Sequence, residues 1–252
     1  MMQEVYKQLA IDYNCSPDDF IKNETIITEA KKSDGRRPFP FISPRLELIT
    51  FGNGVVVNCS SEIIDIVKNR LKGKNRYEIL NMPFIFGVNP YYLPDPKYIR
   101  QKTGCENNEY NFMLLEEKDI YRLYKYKGFD YALQYDQNSP HSEELAVVAE
   151  QGGNIVGIAS AVNECKMLRQ INVDVKSDYR GNHIASTMVD MLTKEVLNRG
   201  YIPYYSTDSG NIVSQRVAVK CGYLPAWSHC YRTRIELLVP QRKMISLFKK
   251  YK

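Results

Sequence analysis

The segment INVDVKSDYRGNHIASTMV, residues 171–189, decides the fold. Its first part, INVDV at 171–175, alternates apolar and polar residues, which predicts the end of a half-buried strand. Its second part opens an amphipathic helix from about His183 to Arg199, with Gly200 as a stop signal. A short polar turn joins the two parts, so the segment predicts a strand followed directly by a helix.

The turn between this strand and helix allows two interpretations. Unpaired backbone N–H groups at a helix start, together with the helix dipole, favour phosphate, so the turn can bind a pyrophosphate group. Alternatively, Gly181 serves only the backbone conformation of an ordinary connection. Short glycine motifs match by chance, so the choice depends on the rest of the chain.

The composition is that of a globular protein. Of the 252 residues, 44% are apolar and 25% are charged, which is enough for one large core or two modest ones and excludes disordered and fibrous proteins. No apolar run approaches the ~20 residues of a membrane-spanning helix, and the amino terminus has no secretory signal. We therefore expect a soluble, cytoplasmic protein with no membrane partner.

The charge pattern favours a small anionic partner. The formal net charge of +5 is spread along the chain, which suits an anionic small molecule at least as well as nucleic acid. Nineteen tyrosines could stack on bases, but no clustered basic stripe accompanies them. We expect no nucleic acid partner.

The cysteines and histidines indicate neither disulfides nor a metal site. Six cysteines occur, and a reducing compartment keeps such thiols free. No two cysteines have the two-residue spacing of a zinc or redox motif, and the three histidines lie far apart. We expect free thiols and no metal.

Residues 1–109 are predicted to form a separate amino-terminal α+β domain, with the boundary in the polar stretch 104–110. This region has no catalytic motif of its own, so we expect it to shape a binding pocket of the second domain or to form a homodimer interface. Its predicted elements are a helix starting at Ser16-Pro17, a hairpin of strands 46–51 and 55–59 around Gly52-Asn53-Gly54, and a helix capped by Ser60 or Ser61 and ended by Gly73.

Residues 110–252 alternate strands and helices more clearly and are predicted to form the second domain. Besides the strand and helix of 171–199, the pattern predicts a strand at 111–115, a helical stretch at 117–126, a hairpin of 145–150 and 154–162, a strand at 201–207, a helix from Asn211 to Cys221 stopped by Gly222, and final strands through Trp227 and Ile235.

Two blocks of the second domain carry a family resemblance. The first is Arg180-Gly181-Asn182-His183-Ile184-Ala185, and the second runs from Asn211-Ile212-Val213-Ser214 to Lys220-Cys221-Gly222-Tyr223. Together, and in this order, they resemble the GNAT family of acyl-CoA-dependent N-acetyltransferases. The first block matches the family signature Gln/Arg-x-x-Gly-x-Gly/Ala at its first and last positions. The likeness covers residues 113–252 and is greatest to a bacterial branch with an added amino-terminal region.

The resemblance implies an α+β fold, with a twisted mixed sheet flanked by helices and preceded by the smaller amino-terminal domain. It also implies acetyl-CoA as cosubstrate, with the pantetheine arm in a split between the fourth and fifth strands of the sheet. The residues that would then contact the coenzyme are the backbone of the fourth strand, the loop after it and two polar residues of a later helix: Val173, Val175, Arg180, Gly181, Asn182, His183, Ile184, Ala185, Ser186, Asn211 and Ser214.

Two positions depart from the family pattern. His183 stands where the family has its middle glycine, so a side chain occupies a place where close approach to phosphate usually requires none. Ala218 stands where the family often has a tyrosine that protonates the departing thiolate.

The resemblance does not fix the general base. Asp174 alternates with Val173 and Val175, so its side chain is predicted to point to the opposite face of the strand. Asp208 follows the fifth strand, where the family has its cleft, and Glu164 is a third candidate. Each of these carboxylates can also be an ordinary structural or solvated acid.

The predicted function is transfer of an acetyl group from acetyl-CoA to a primary amine, most simply a small molecule, by direct attack on the thioester. Tyr205 is the expected substitute for the missing tyrosine, while Cys221 is expected to be a core thiol rather than a nucleophile. The alternative is a catalytically degenerate module that senses acyl-CoA or binds a partner, which His183 and Ala218 favour.

Overall fold

The computed structural model describes residues 1–37, 44–101, 109–139 and 141–239. Within them the helices are α1 (Met2–Tyr13), α2 (Ile64–Leu71), α3 (Arg76–Leu80), α4 (Pro96–Gln101), α5 (Ile184–Asn198), α6 (Ile212–Lys220) and α7 (Ile235–Leu238). The strands are β1 (Thr25–Glu29), β2 (Leu46–Thr50), β3 (Val55–Cys59), β4 (Ile85–Pro94), β5 (Asn111–Glu116), β6 (Glu143–Gln151), β7 (Asn154–Asn163), β8 (Leu168–Val175), β9 (Ile202–Ser206) and β10 (Tyr223–Thr233). Short 3₁₀ helices occupy Pro17–Ile21, Ser61–Ile63, Glu117–Lys125 and Ser177–Tyr179.

The chain divides into two compact units. The first comprises Met1–Tyr91, Asp208–Gly210 and, among the described residues, 226–239, and the second comprises Tyr92–Thr207 and Asn211–Pro225. These units differ from the predicted domains 1–109 and 110–252, because the change comes at Tyr92 and the chain returns to the first unit after Pro225. Most of the predicted boundary stretch 104–110 lies outside the described residues.

The first unit mixes strands and helices, as predicted, and α1 precedes its sheet. β2 and β3 form the antiparallel hairpin that Gly52-Asn53-Gly54 predicts, with Leu46 opposite Cys59. β1 pairs parallel with β3, and β10 pairs antiparallel with β2, with His229 opposite Ile49. The apolar side chains of this sheet pack against α2, whose Val67 and Leu71 are buried.

At two predicted helix starts of the first unit, the structure differs from the prediction in helix type or in the capping residue. The segment after Ser16 forms a 3₁₀ helix rather than an α-helix, and Ser16 and Asp19 make the reciprocal hydrogen bonds of a capping box. Ser60 precedes the 3₁₀ turn before α2, but its hydroxyl accepts the Arg45 N–H at 2.7 Å instead of capping the helix.

The second unit contains the mixed sheet that was predicted. Its strands lie in the order β9-β8-β7-β6-β5, with β8 and β9 parallel and the other pairs antiparallel. One face packs against α5, and the other packs against the segment around Ile120 and Phe129. A Cβ atom at Gly157 would lie 2.8 Å from Met188 Cε, so the glycine allows α5 to approach the sheet closely.

One predicted strand needs correction. Ile235 begins α7 rather than lying in a final strand, because Ile235 and Leu238 are spaced for a helical turn. The helical stretch predicted at 117–126 is present as the 3₁₀ helix Glu117–Lys125, whose three-residue turn matches the spacing of the buried Ile120 and Leu123. Between Phe84 and Gln101, where no element was predicted, the structure contains β4 and α4.

Cys15, Cys59 and Cys230 have free thiols. Cys105 lies outside the described residues, as does the carboxyl-terminal tail from 240 onward. None of the described helices is long and apolar enough to cross a membrane.

Candidate functional site

The strands β8 and β9 pair over only part of their length. Their parallel register runs from Leu168 opposite Ile202 to Ile171 opposite Tyr205. β8 continues to Val175 and stays paired with β7 throughout this extension. The extension, Asn172 to Val175, therefore has a strand neighbour on one side only, and its four residues are all partly exposed. Within the second unit β8 and β9 are the fourth and fifth strands in chain order, so this gap corresponds to the split that the family resemblance implies.

The two faces of the β8 extension have different surroundings. Val173 and Val175 pack against the cluster of α5. Asp174 points to the opposite face, as the alternation predicts, and its Oδ2 accepts the backbone N–H groups of Tyr131 at 2.8 Å and Ala132 at 2.9 Å. Burial raises the pKa of Asp174, and these two N–H groups oppose only part of that rise.

The loop from 180 to 186 has the backbone conformation of a glycine-rich turn. Gly181 has φ +88° and His183 has φ +63°, so both residues adopt left-handed conformations that favour glycine. Arg180 Nε donates to the Val175 carbonyl at 3.0 Å, which ties the loop to the end of β8. Gly181, Asn182 and His183 are exposed, so the backbone at the start of α5 faces solvent.

The His183 side chain contacts a cation on the next helix. Lys220 Nζ, at the end of α6, lies within hydrogen-bonding distance of His183 Nδ1. An ammonium group can only donate, so His183 Nδ1 is the acceptor in this contact. Lys220 and Arg180 thereby bring two positive charges to the 180–186 loop. This arrangement suits an anion at the start of α5.

The start of α6 is fixed by one of the predicted contact residues. Asn211 caps the helix, since its Oδ1 accepts the Ser214 N–H at 3.1 Å. The Ser214 hydroxyl in turn lies 2.9 Å from the Tyr205 hydroxyl. Burial raises the pKa of Tyr205 to about 12, so this phenol keeps its proton at neutral pH. Ala218 is fully buried on the same helix and offers no polar group.

Cys221 has the environment of a structural thiol. It is fully buried in the cluster of α5, and its Sγ donates to the Ser186 carbonyl at 3.2 Å. A buried thiol with a hydrogen-bond acceptor is not activated as a nucleophile.

Asp208 belongs to the first unit, in contrast to the other predicted site residues. It is exposed, and its Oδ1 lies 3.7 Å from Arg232 Nη1. Its predicted role as a base stays a prediction.

Sequence reasoning named Glu164 as a candidate base but missed the polar residues that join it on the Asp174 face. Glu164, which precedes β8, forms a connected chain of hydrogen bonds with Tyr204, Gln170 and Ser206. Alternation along β8 could have placed Gln170 on the face of Asp174. The pairing with Tyr204 depends on the β8–β9 register, which no local pattern indicates.

Comparison with known proteins identifies the family of the chain. The family model "GNAT acetyltransferase" matches residues 57–232, so the chain belongs to the GNAT acetyltransferase family. A comparison with curated proteins found no match. Among the described residues, no group of three His, Cys, Asp or Glu side chains is placed to hold a metal ion.

Solved structures with similar folds include three described as acetyltransferases or as similar to them. A GCN5-related N-acetyltransferase-like protein from Streptococcus suis is 19% identical with a TM-score of 0.44, covering 72% of this chain and 71% of that one. A GNAT-family acetyltransferase from Colwellia psychrerythraea is 14% identical with a TM-score of 0.42, covering 63% and 61%. A GCN5-related N-acetyltransferase from Kribbella flavida is 14% identical with a TM-score of 0.44, covering 58% and 57%. The chain spans less than two thirds of the length of the last two.

Proposed function

We propose that the protein is a cytoplasmic N-acetyltransferase that moves an acetyl group from acetyl-CoA to a primary amine of a small molecule. The observation that carries this proposal is the β8 extension, which leaves β9 after Ile171 and leads through the short 3₁₀ helix Ser177–Tyr179 into the 180–186 loop. A strand edge and a helix start in one continuous segment suit a ligand with both amide groups and a pyrophosphate.

The residues of the segment fit acetyl-CoA. The backbone of Val173 and Val175 would pair with the pantetheine amides, which leaves both side chains in the core. The N–H groups from Gly181 to Ser186 would hold the pyrophosphate, with Asn211 and Ser214 beside the coenzyme. Arg180 and Lys220 add positive charge where the phosphates would lie. The left-handed backbone at His183 keeps this loop open although the family's middle glycine is missing.

Transfer proceeds by direct attack in this proposal. The lone pair of a neutral amine forms a C–N bond to the thioester carbonyl, the C–S bond breaks, and its electron pair leaves with the thiolate. The amine loses one proton, and Asp174, directly or through water, is the proposed acceptor. Its raised pKa makes this carboxylate a stronger base than an ordinary aspartate.

Tyr205 takes over only part of the role of the missing family tyrosine, namely hydrogen bonding to the departing sulfur. A thiol has a reference pKa of about 8.5, so the phenol, with a pKa of about 12, is the weaker acid. Complete proton transfer from Tyr205 to the thiolate is therefore unfavourable. Tyr205 instead donates a hydrogen bond to the sulfur as negative charge develops on it, while Ser214 orients the phenol.

Thiol release from acetyl-CoA over a broad panel of amines tests this function. We expect release with at least one primary amine, a loss of about 10²–10⁴-fold for Asp174→Asn and a smaller loss for Tyr205→Phe. Cys221→Ala should remain active. An acetylated Cys221 trapped by mass spectrometry, with an inactive Cys221→Ala, would overturn direct transfer. If no amine of the panel causes thiol release although the coenzyme binds tightly, the alternative of an acyl-CoA-sensing module is favoured.

A further inference from the structure

Four side chains form a hydrogen-bonded chain on the sheet face that carries Asp174. The Tyr204 hydroxyl donates to the Glu164 carboxylate and lies 3.3 Å from Gln170 Oε1. At its other end, Gln170 Nε2 donates to Ser206 Oγ at 3.2 Å. The chain therefore runs from Glu164 through Tyr204 and Gln170 to Ser206.

These hydrogen bonds run from the part of the sheet where β8 and β9 are paired to the split where they separate. Gln170 lies opposite Tyr204 in the paired part of β8 and β9, and Tyr204 is 1% exposed. The last pair is Ile171 opposite Tyr205. Ser206 is the next residue and ends β9, and it is partly exposed. Of the four side chains in this hydrogen-bonded chain, Ser206 is thus the one whose hydroxyl a bound substrate can reach.

Gln170 occupies one lone pair of the Ser206 hydroxyl. The Tyr204 hydroxyl has a single hydrogen, which the Glu164 carboxylate and Gln170 Oε1 share as acceptors. Gln170 Nε2, at the other side of the amide, donates to Ser206 Oγ and takes one lone pair of that oxygen. A hydroxyl oxygen has a second lone pair, which can accept an N–H from a ligand in the split.

We infer that Ser206 binds the acceptor amine by accepting one of its N–H groups, and that Gln170, held by Tyr204 and Glu164, positions Ser206 for this contact. The inference rests on the proposed function. A neutral primary amine has two N–H groups and one lone pair. With one N–H bound to Ser206, the lone pair remains available for the thioester and the second N–H can be lost as the proton.

Steady-state kinetics of the whole chain test the contact, with the most active primary amine of the panel as the probe. Removing one neutral hydrogen bond in Ser206→Ala should raise the KM for the amine about three- to tenfold. The affinity for acetyl-CoA should stay unchanged. Ser206→Thr keeps the hydroxyl and should restore most of the amine KM.

A double-mutant cycle separates positioning from a purely structural role. Tyr204→Phe should raise the amine KM in the wild-type background and have no further effect in Ser206→Ala, because both act on one contact. The matched control is Tyr124→Phe, which also removes a phenol that donates to a carboxylate, that of Glu143 at 2.6 Å. This control should leave the amine KM unchanged. Gln170→Ala replaces Tyr204→Phe in the cycle if the latter fails to fold.

The outcomes distinguish this inference from the function on which it rests. An active wild-type protein whose amine KM is the same in Ser206→Ala, or whose double mutant shows additive effects, overturns the inference alone. A wild-type protein that transfers acetyl groups to no amine overturns the proposed function and this inference together.

Discussion

His183 adopts a backbone conformation that glycine normally supplies. Its φ of +63° costs a non-glycine residue about 1–2 kcal/mol, and its carbonyl accepts the Thr187 N–H at 3.0 Å at the start of α5. The loop therefore keeps its shape although the sequence departs from the family signature.

We expect His183→Gly to change the free energy of unfolding by less than about 1 kcal/mol, because relief of strain offsets the greater freedom of glycine in the unfolded chain. His183→Val should cost about 2 kcal/mol or more, since β-branched residues rarely adopt positive φ. Urea denaturation of both variants measures the difference. Equal stability of the glycine and valine variants would contradict the backbone argument.

Asp174 has a structural role and a proposed chemical role, and two substitutions separate them. Asp174→Asn keeps an oxygen for the Tyr131 and Ala132 N–H groups and should lose less than about 1 kcal/mol of stability. Asp174→Ala leaves both donors without this partner and should lose about 1–3 kcal/mol. Acetyl transfer should fall in both variants. A fully active Asp174→Asn would exclude this carboxylate as the base.

Part of the candidate site was predictable from the sequence at the scale of single residues. Asn211 before an amphipathic run predicts a helix cap, and the alternation of 171–175 predicts that Asp174 faces away from the core cluster. The contact of His183 with Lys220 was not predictable, since it depends on how α5 and α6 pack. The same holds for Gln170 with Ser206, which depends on strand register.

At the scale of elements, turn residues and apolar periodicity predicted those helices and hairpins that short stretches of sequence determine. Gly52-Asn53-Gly54 marks the β2–β3 hairpin, and a Cβ atom at Gly54 would clash with the Lys22 carbonyl oxygen, so glycine is needed there for a close backbone approach rather than for a positive φ. The α5 helix follows from its apolar periodicity. β10 is different, because its pairing joins His229 to Ile49 across most of the chain. No turn signal marks such a pair, so its partner strand was not predicted.

The end of α6 depends on a close contact with Gly222. This residue has φ +79°, and a Cβ atom here would lie 2.0 Å from the Tyr98 ring. Tyr98 also donates to the Lys220 carbonyl at 3.0 Å. Gly222→Ala should therefore displace the ring and cost about 2–4 kcal/mol, the sum of backbone strain and overpacking.

Gly200→Ala is the matched control for this element. Gly200 has a similar φ of +80°, but a Cβ atom there would meet nothing within 4 Å. It should cost only the backbone strain of about 1–2 kcal/mol. Thermal and urea denaturation of the two variants give the difference. If both cost the same, the contact of Tyr98 with Gly222 contributes nothing to stability.

At the scale of the whole molecule, the first unit buries an unusual set of charges. Glu47 is 2% exposed and accepts hydrogen bonds from Arg36 Nη2 and from Arg45 Nε, both at 3.0 Å. His229, also 2% exposed, lies 3.3 Å from Glu47 through Nε2 and 3.3 Å from the Tyr91 hydroxyl through Nδ1. Burial lowers the pKa of His229. Burial alone would raise the pKa of Glu47, but hydrogen bonds from His229 and Arg45 hold it below its usual value.

These shifts predict loss of stability in acid. Below the ordinary histidine pKa of 6.5 the unfolded chain takes up a proton that the folded His229 does not, so stability falls as pH falls from about 7. Glu47 adds to the loss below its ordinary pKa of 4.5. One proton corresponds to at most about 1.4 kcal/mol per pH unit. Urea denaturation at pH 7.5 and 5.5 should show the loss, and His229→Gln should reduce it. An unchanged slope in His229→Gln would contradict the assignment.

Calorimetric titration of the whole chain with acetyl-CoA tests the central claim, that the split and the 180–186 loop bind this coenzyme. We expect one coenzyme per chain and an affinity that falls with added salt. Lys220→Ala should weaken binding about three- to tenfold, whereas Lys194→Ala, whose ammonium pairs with Asp190 at 3.1 Å, should not. No binding at millimolar acetyl-CoA, or equal affinity for Lys220→Ala and wild type, would contradict the claim.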